Sequence, residues 1–487
     1  MDYINNELQR IYREISSLKI TDPGESKNWA NNTLAGMIMT AMGRKLIYDR
    51  SIGSFWIWNK IGFYMPIVND DDLRKMVAIF LETWQIRGIT MGKIDDVLAQ
   101  IRIRVDAVND LEEEWISFTD CIWSPITQET EKSSSEKIAT VHIPIKFKDT
   151  LKAEAPKLKK YLKETCITED GNFDQEMVDQ LQEFAGYLLW PSLEKCPCVF
   201  FYGEGSNGKS VYIDILRGLL GKCRTASCGL EQLIGDRFGM ANLVGVRFNA
   251  SDEMGNCREA TTASFKKMIV GDPISIQKKF KDSFEFIPKC KFIFCTNIVP
   301  AFKETNIAMR RRLLIIPFFR TLDPFTPKGR EKIITGLGNL IIKEELPGVV
   351  HWAMEGLEKL KKQDFWMTRS KASEEMMTKF ENESSSVIEF LDEFFEYDPS
   401  QEHAIRSDSV YSDYVTWCKD VGRKQVARIT FGRDFKERFG KSFVKKIEGK
   451  SYRVFNCRRK DEKVGHRHAS DPFASLVGQT QDHLPDF

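Results

Sequence analysis

No apolar run in this chain approaches the ~18 residues of a membrane span. Its first residues, MDYINNELQR, are polar and acidic where a secretory signal is basic and then apolar. The expectation is therefore a protein that meets no membrane and stays in the compartment where it is made. A disulfide framework is also excluded, because the 11 cysteines are odd in number and follow no such signal. Two C-x4-C pairs, Cys223 with Cys228 and Cys290 with Cys295, resemble halves of a zinc site. However, PKCKFIFCTN reads as a strand, on which residues five apart point to opposite faces. Cys457, His466 and His468 lie in a polar tail and make no stronger case. There is no internal repeat, and the net charge of +1 says nothing about partners.

What remains is 487 residues with 42% apolar and 29% charged side chains, the make-up of a folded chain of about three domains. The charge is unevenly placed. Residues 401–460 hold 16 Lys and Arg against 7 Asp and Glu, which leaves the rest of the chain acidic by 8. A basic module on a near-neutral body is a pattern of nucleic-acid binding.

Composition breaks at Gln128–Lys137 (QETEKSSSEK), at Glu381–Ser386 (ENESSS) and from Lys460 onward divide the chain. The expected organisation is a mixed α+β region over 1–127, a linker over 128–140, a helical collar-like segment over 141–190 and an α/β core over 191–330. A helical extension over 331–380, a basic domain over 387–460 and a disordered tail over 461–487 complete it. Near the start, GSFWIWNKIGFYMPI reads as a hairpin whose aromatics are packed rather than offered to bases, and Asp70, Asp71 and Asp72 read as the cap of a following helix.

The chemistry begins at CVFFY, a strand-like run followed by Gly203-Glu204-Gly205-Ser206-Asn207-Gly208-Lys209-Ser210 and the helical VYIDILRGLLG. Glycines let successive backbone N–H groups turn toward phosphates at a helix N-terminus. Lys209 can reach the β- and γ-phosphates of ATP, and the Ser210 hydroxyl can ligate Mg2+. About 40 residues on, VGVRFNAS ends in Asp252-Glu253, where Asp252 is expected to hold the magnesium shell and Glu253 to polarise the attacking water. The strand KFIFCTN ends in Asn297, an amide suited to orienting that water. Arg310-Arg311-Arg312 precede the apolar LLIIPFF, and an arginine there that does not reach its own loop is a candidate finger for a neighbour's ATP, which implies a ring. Between them ISIQKKFKDSFEFIP reads as a hairpin in which Ile274 and Ile276 alternate against Phe284 and Phe286. Its tip of Lys278, Lys279, Phe280 and Lys281 is suited to gripping a nucleic-acid strand.

In combination, GEGSNGKS, the SDE ending, KKMIVGDPISIQKKFK, FIFCTNIVP and RRRLLIIPF resemble superfamily 3 DNA helicases of the poxvirus type, also found as phage and plasmid replication proteins. WISFTDCIW, LQEFAGYLLW and ELPGVVHWAMEGLEKL extend the likeness over about residues 45–455. The resemblance implies a P-loop NTPase with an AAA+-like core, an N-terminal helicase-associated domain and a homo-hexameric ring moving 3′ to 5′ on single-stranded and forked DNA. It implies host cytoplasm as the location, and a primase, polymerase or origin-binding protein as candidate partners. The family's finger corresponds to the Arg311-Arg312 pair, and Arg310 is extra. No primase catalytic set is evident. The basic module adds independent support. Val410, Tyr414 and Trp417 mark one helix, Phe431, Phe435 and Phe439 a second, and FVKKIE-GK-SYRVFN a hairpin, the order of a winged helix with Lys436, Arg438, Lys445 and Lys446 facing phosphate. The alternative function is an ATP-dependent origin-binding or loading protein that remodels DNA without processive unwinding. A P-loop kinase is disfavoured by the absence of an acceptor lid.

Overall fold

The computed structural model describes residues 29–59, 61–67, 70–105, 107–108, 113–195, 197–221, 224–236, 238–251, 262–277, 283–297, 310–323, 325–384, 386–398, 405–422, 425–440, 443–447 and 450–460. The tail expected over 461–487 lies outside them. Contacts divide the chain into two units, the second comprising Val299–Asn306 and Met377–Phe487.

The first unit opens with α1 (Asn31–Met42), β1 (Leu46–Asp49), β2 (Ser54–Trp58), β3 (Tyr64–Ile67), α2 (Asp70–Thr83), α3 (Met91–Arg104) and β4 (Ala107–Val108), the strands ordered β3-β2-β1-β4. The aromatic run forms the hairpin its alternation predicts, with Trp58 opposite Tyr64 and the turn closed by the Asn59 side chain accepting from Gly62 N–H at 3.0 Å. Phe55, Trp56 and Tyr64 are each 1% exposed, so these rings are core. Asp70 begins α2, and Asp71 in its first turn pairs with Arg74 at 2.9 Å.

Next come β5 (Trp115–Ser117), β6 (Ile122–Trp123), β7 (Thr130–Glu131) and β8 (Ala139–His142), ordered β7-β6-β5-β8. The polar stretch expected as a linker contains β7 and is tied down. Ser133 Oγ donates to Gly62 O at 2.9 Å, Tyr64 OH donates to Ser135 O at 2.8 Å, and the Lys137 ammonium stands 4.5 Å from the Trp115 ring centre. The Ser133 side chain and the Ser135 backbone thus serve the buried hairpin while Gln128, Glu129, Thr130, Glu131, Lys132 and Glu136 stay exposed, a tie that composition alone does not reveal.

The core then follows as α4 (Pro156–Thr165), α5 (Gln175–Leu189), β9 (Cys198–Tyr202), α6 (Lys209–Leu220), β10 (Thr225–Ala226), α7 (Leu230–Gly235), β11 (Phe248–Ser251), α8 (Thr262–Val270), β12 (Ile274–Gln277), β13 (Ser283–Phe286), β14 (Lys291–Thr296) and β15 (Leu313–Pro317). Five strands form a parallel sheet ordered β10-β11-β14-β9-β15. The central β9, β14 and β15 are buried along almost their whole length, which explains their unbroken apolar composition. After α9 (Pro327–Lys332), α10 (Leu337–Lys362) returns across this layer, followed by α11 (Lys371–Ser384). The side chains of α5, α6 and α10 share one apolar core with the sheet, so the segments expected as collar and extension are built into it. Close passage of α5 and α10 depends on glycine: a Cβ on Gly186 would lie 2.1 Å from Leu357 N, and one on Gly356 would lie 2.0 Å from Gln182 O. Pro347 interrupts α10, and Glu345 at the kink accepts the Lys157 and Leu158 N–H groups at 2.9 and 3.2 Å, capping α4.

The second unit contains α12 (Ser386–Phe394), β16 (Phe395–Tyr397), β17 (Ile405–Arg406), α13 (Ser407–Asp420), α14 (Arg428–Phe439), β18 (Phe443–Ile447), β19 (Lys450–Phe455) and β20 (Cys457–Arg459). Three strands form a sheet ordered β17-β19-β18, and β16 pairs with β20. Tyr414, Trp417, Phe431, Phe435 and Phe439 make its core, as their helical spacing predicts. Among the described residues, no helix is long and apolar enough to cross a membrane, eight cysteines are free thiols, and no group of side chains forms a metal cluster.

Candidate functional site

Gly203 to Ser210 connect the carboxyl end of β9 to α6, and glycine is required twice. Gly203 has φ 148°, with a Cβ position 2.6 Å from Phe318 O, and Gly208 has φ 99°. The loop is pinned by its neighbours: Gly203 N–H donates to Thr296 O at 3.1 Å, and Leu322 N–H donates to Ser206 O at 3.2 Å. Asn207 is 3% exposed and reaches Phe318 O at 3.4 Å. These constraints shape a cavity of about 520 Å³ lined by Gly203–Ser210, Cys295, Thr296 and Asn297. The Lys209 ammonium lies in its wall, donating to Gly203 O at 2.6 Å and Glu204 O at 2.9 Å. Partial burial lowers the pKa of Lys209. A cation held by neutral carbonyls at a helix N-terminus, beside glycines that leave backbone exposed, is equipped to exchange those carbonyls for an anion. Ser210 lines the same cavity from the first turn of α6, where its hydroxyl is an oxygen donor of the kind a hard cation takes.

The sheet brings Asn297 to this cavity directly after β14, and β11 ends in register beside it, with Ser251 opposite Phe294. Asp252 and Glu253 come next in sequence but lie outside the described residues, as do Lys278, Lys279, Phe280 and Lys281. The strands flanking that basic tip pair as the alternation predicts, Ile274 with Phe286 and Ile276 with Phe284.

The three arginines are not brought to the loop. They precede Leu313, which pairs with Cys198 at the amino end of β9, whereas the loop leaves its carboxyl end. The five residues of β15 separate them by about 16 Å at 3.3 Å per residue. Arg310 is engaged within its own unit, 2.5 Å from Glu374, which Arg369 also contacts at 3.1 Å. Burial raises the pKa of Glu374, but its hydrogen bonds with Arg310 and Arg369 outweigh that and leave it lowered. Arg311 is exposed and Arg312 half-buried, and both line a shallow pocket with Glu194, Val270 and Trp366.

Two further sets of residues escape sequence reading. Tyr161 and Thr165 of α4 cover the end of the loop: Tyr161 OH donates to Gly208 O at 2.9 Å, and Arg320 donates to Thr165 Oγ1 at 3.1 Å and to Glu164 at 3.0 Å. Glu113, deep inside, receives Arg224 at 2.7 and 2.8 Å and Arg247 at 3.3 Å. Burial raises the pKa of Glu113, yet the two guanidinium groups prevail and hold it at about 2. Both sets join residues far apart in the chain, and no local motif marks them.

The family described as "Family of unknown function (DUF5906)" matches residues 201–312, and "Poxvirus D5 protein-like" matches residues 382–464. The chain is 22% identical over 389 residues to "Putative helicase 184R" of Invertebrate iridescent virus 6, covering 71% of this chain and 38% of that protein. It thus spans well under half the length of that relative. Two solved structures, "The A form apo structure of NrS-1 C terminal region-CTR" and "The apo structure of NrS-1 C terminal region (305-718)", each align over 89% of this chain at 14% identity, covering 99% and 100% of their own chains with TM-scores of 0.44 and 0.45. The chain is thus similar to a putative viral helicase and, over residues 382–464, to poxvirus D5 protein-like sequences.

Proposed function

We propose that this chain is an ATP-dependent replicative DNA helicase with an AAA+-like core, acting as a hexameric ring that draws single-stranded DNA through its pore. The observation that carries this reading is the placement of two cationic groups at opposite ends of one parallel sheet. Lys209 and the glycine loop lie at one end, and Arg311 and Arg312 lie about 16 Å away at the other. A guanidinium so placed reaches a γ-phosphate in an adjoining copy rather than in its own, the logic of a trans finger. The strand order β15-β9-β14-β11-β10 supports the AAA+-like assignment, and the succession α12, β17, α13, α14, β18, β19 supports a winged helix in the second unit.

In this mechanism Lys209 leaves the Gly203 and Glu204 carbonyls to neutralise the β- and γ-phosphates of ATP, while loop N–H groups hold the chain of phosphates. Ser210 and Asp252 would hold Mg2+, which would supply further neutralisation of the phosphate charge. Glu253 accepts the proton of the attacking water and Asn297 orients it. Lys278, Lys279, Phe280 and Lys281 grip the single strand at the tip of the β12–β13 hairpin.

Strand displacement on a forked substrate, with and without ATP, tests the reading. Displacement that requires ATP is expected. ATP turnover with duplex melting confined to a bound site would favour the origin-loading alternative, and no turnover at all would overturn both.

A further inference from the structure

We propose that Arg369 and Glu374 are positioning residues for the trans finger, locking the turn from which Arg311 projects, and that Arg310 belongs to this lock rather than to the chemistry. The proposal rests on the reading of Arg311 or Arg312 as that finger. It starts at the edge of the parallel sheet. β15 is the last strand in the order, and the Cys198 N–H of β9 donates to the Arg312 carbonyl at 2.8 Å. Successive carbonyls of a strand point to opposite sides, so the Leu313 carbonyl faces the outer edge, where the described sheet has no further strand.

Arg369 takes that place. Its Nη2 donates to Leu313 O at 3.0 Å and to Arg310 O at 3.1 Å, so one amino group ties the carbonyls on either side of Arg311 and Arg312. Its Nη1 donates to one Glu374 oxygen at 3.1 Å, and Arg310 donates to the other at 2.5 Å. A planar fork holds these three acceptors in one fixed geometry, which a point-like ammonium on a flexible stem does not. The clamp is itself anchored. Thr368 gives its N–H and its hydroxyl to buried Glu183 of α5 at 2.7 and 2.6 Å, and its carbonyl accepts from Gln180 at 3.1 Å. Glu374 stands in the first turn of α11. Sheet edge, α5 and α11 thus converge on residues 310–313, of which Arg311 alone is exposed. Such rigidity matters for a group that must reach a phosphate in another subunit, because a displacement of about 1 Å can cost on the order of 10²-fold in rate.

ATP turnover of the full chain, alone and in equimolar mixtures, tests the assignment. Arg369→Ala is expected to lose at least about tenfold in kcat while KM for ATP changes less than about twofold. Mixed with Lys209→Ala it should recover turnover, because about one site in four then joins an intact loop to a seated finger. Mixed with Arg311→Ala it should recover nothing, since neither chain supplies that finger. A folded Arg369→Ala chain rescued by neither partner, or by Arg311→Ala alone, would overturn the proposal. Arg369→Lys keeps the charge beside Glu374 without the fork and should stay at least about threefold below the wild type; wild-type turnover there would also overturn it. Should the alanine variant not fold, Arg369→Lys enters the same mixtures with the same outcomes expected. If Arg311→Ala and Lys209→Ala fail to rescue each other, the trans finger falls and the clamp with it. Rescue in that pair with none for Arg369→Ala removes the clamp alone.

Discussion

The first unit uses charge in two opposite ways. Around Glu113 the charges are sealed in, paired at 2.7–3.3 Å with Arg224 and Arg247, and supplemented by Arg224 donating to Gly245 O at 2.6 Å and Arg247 donating to Leu189 O at 3.2 Å. At the glycine loop the one cation rests on backbone carbonyls beside a cavity of about 520 Å³. A buried charge with a charged partner is committed to the fold, because removing either partner strands the other. A charge held by neutral carbonyls is available for exchange. The difference separates architecture from chemistry without reference to sequence motifs.

The sharpest way to break this contrast is at Glu113. Glu113→Gln leaves two buried guanidinium groups without an acid and should cost about 3–5 kcal/mol of unfolding free energy, read by denaturant titration. A cost below about 1 kcal/mol would show that solvent reaches the cluster. The same carboxylate sets an acid limit. Its pKa is about 2 in the folded chain against 4.5 otherwise, so its contribution is complete above pH 4.5 and lost as the pH falls toward 2. Glu113→Gln should therefore show a shallower loss of stability over that interval than the wild type.

Lys209→Ala should do the reverse, reducing ATP turnover by at least about 10²-fold while leaving the melting temperature unchanged, since no buried charge loses its partner. Wild-type turnover in that variant would remove the loop from the chemistry. Mixing Lys209→Ala with Arg311→Ala should restore part of the activity that each lacks alone, because a mixed ring contains sites with an intact loop and an intact finger. Full turnover by a strictly monomeric preparation would end the argument for a finger in trans. The smallest effect is expected at Tyr161, where Phe removes one hydrogen bond to Gly208 O and should weaken nucleotide binding severalfold, about 1 kcal/mol, with little loss of stability.

How much of this was legible in the sequence depended on the range of each interaction. The β12–β13 hairpin was, since alternation alone pairs Ile274 with Phe286. The glycine loop was also legible, because its strand, turn and helix are contiguous. The three aromatic residues of α14 could be read as a buried face from their spacing. Tyr161, Arg320 and Glu113 could not, because their partners lie 47, 155 and at least 111 positions away and only the folded sheet brings them together. The tie made by the polar stretch before β8 was hidden for the same reason, the Ser133 hydroxyl serving a hairpin some 71 residues earlier.

The passage of α10 over α5 also bears on which fragment of the chain can live alone. A piece ending near residue 330 would include the glycine loop, every strand of the parallel sheet and the three arginines. It would also lay bare the surface that Ile341, Val349, Val350, Ala353, Leu357 and Leu360 cover, each at most 0% exposed in the intact chain. With the Gly186 and Gly356 crossing unmade and α4 deprived of its Glu345 cap, such a fragment is a poor candidate for soluble expression. The smallest self-sufficient fragment that holds the glycine loop has to run from before β5, which keeps Glu113 with Arg224 and Arg247, to the end of α10, well past the last motif that marks its chemistry.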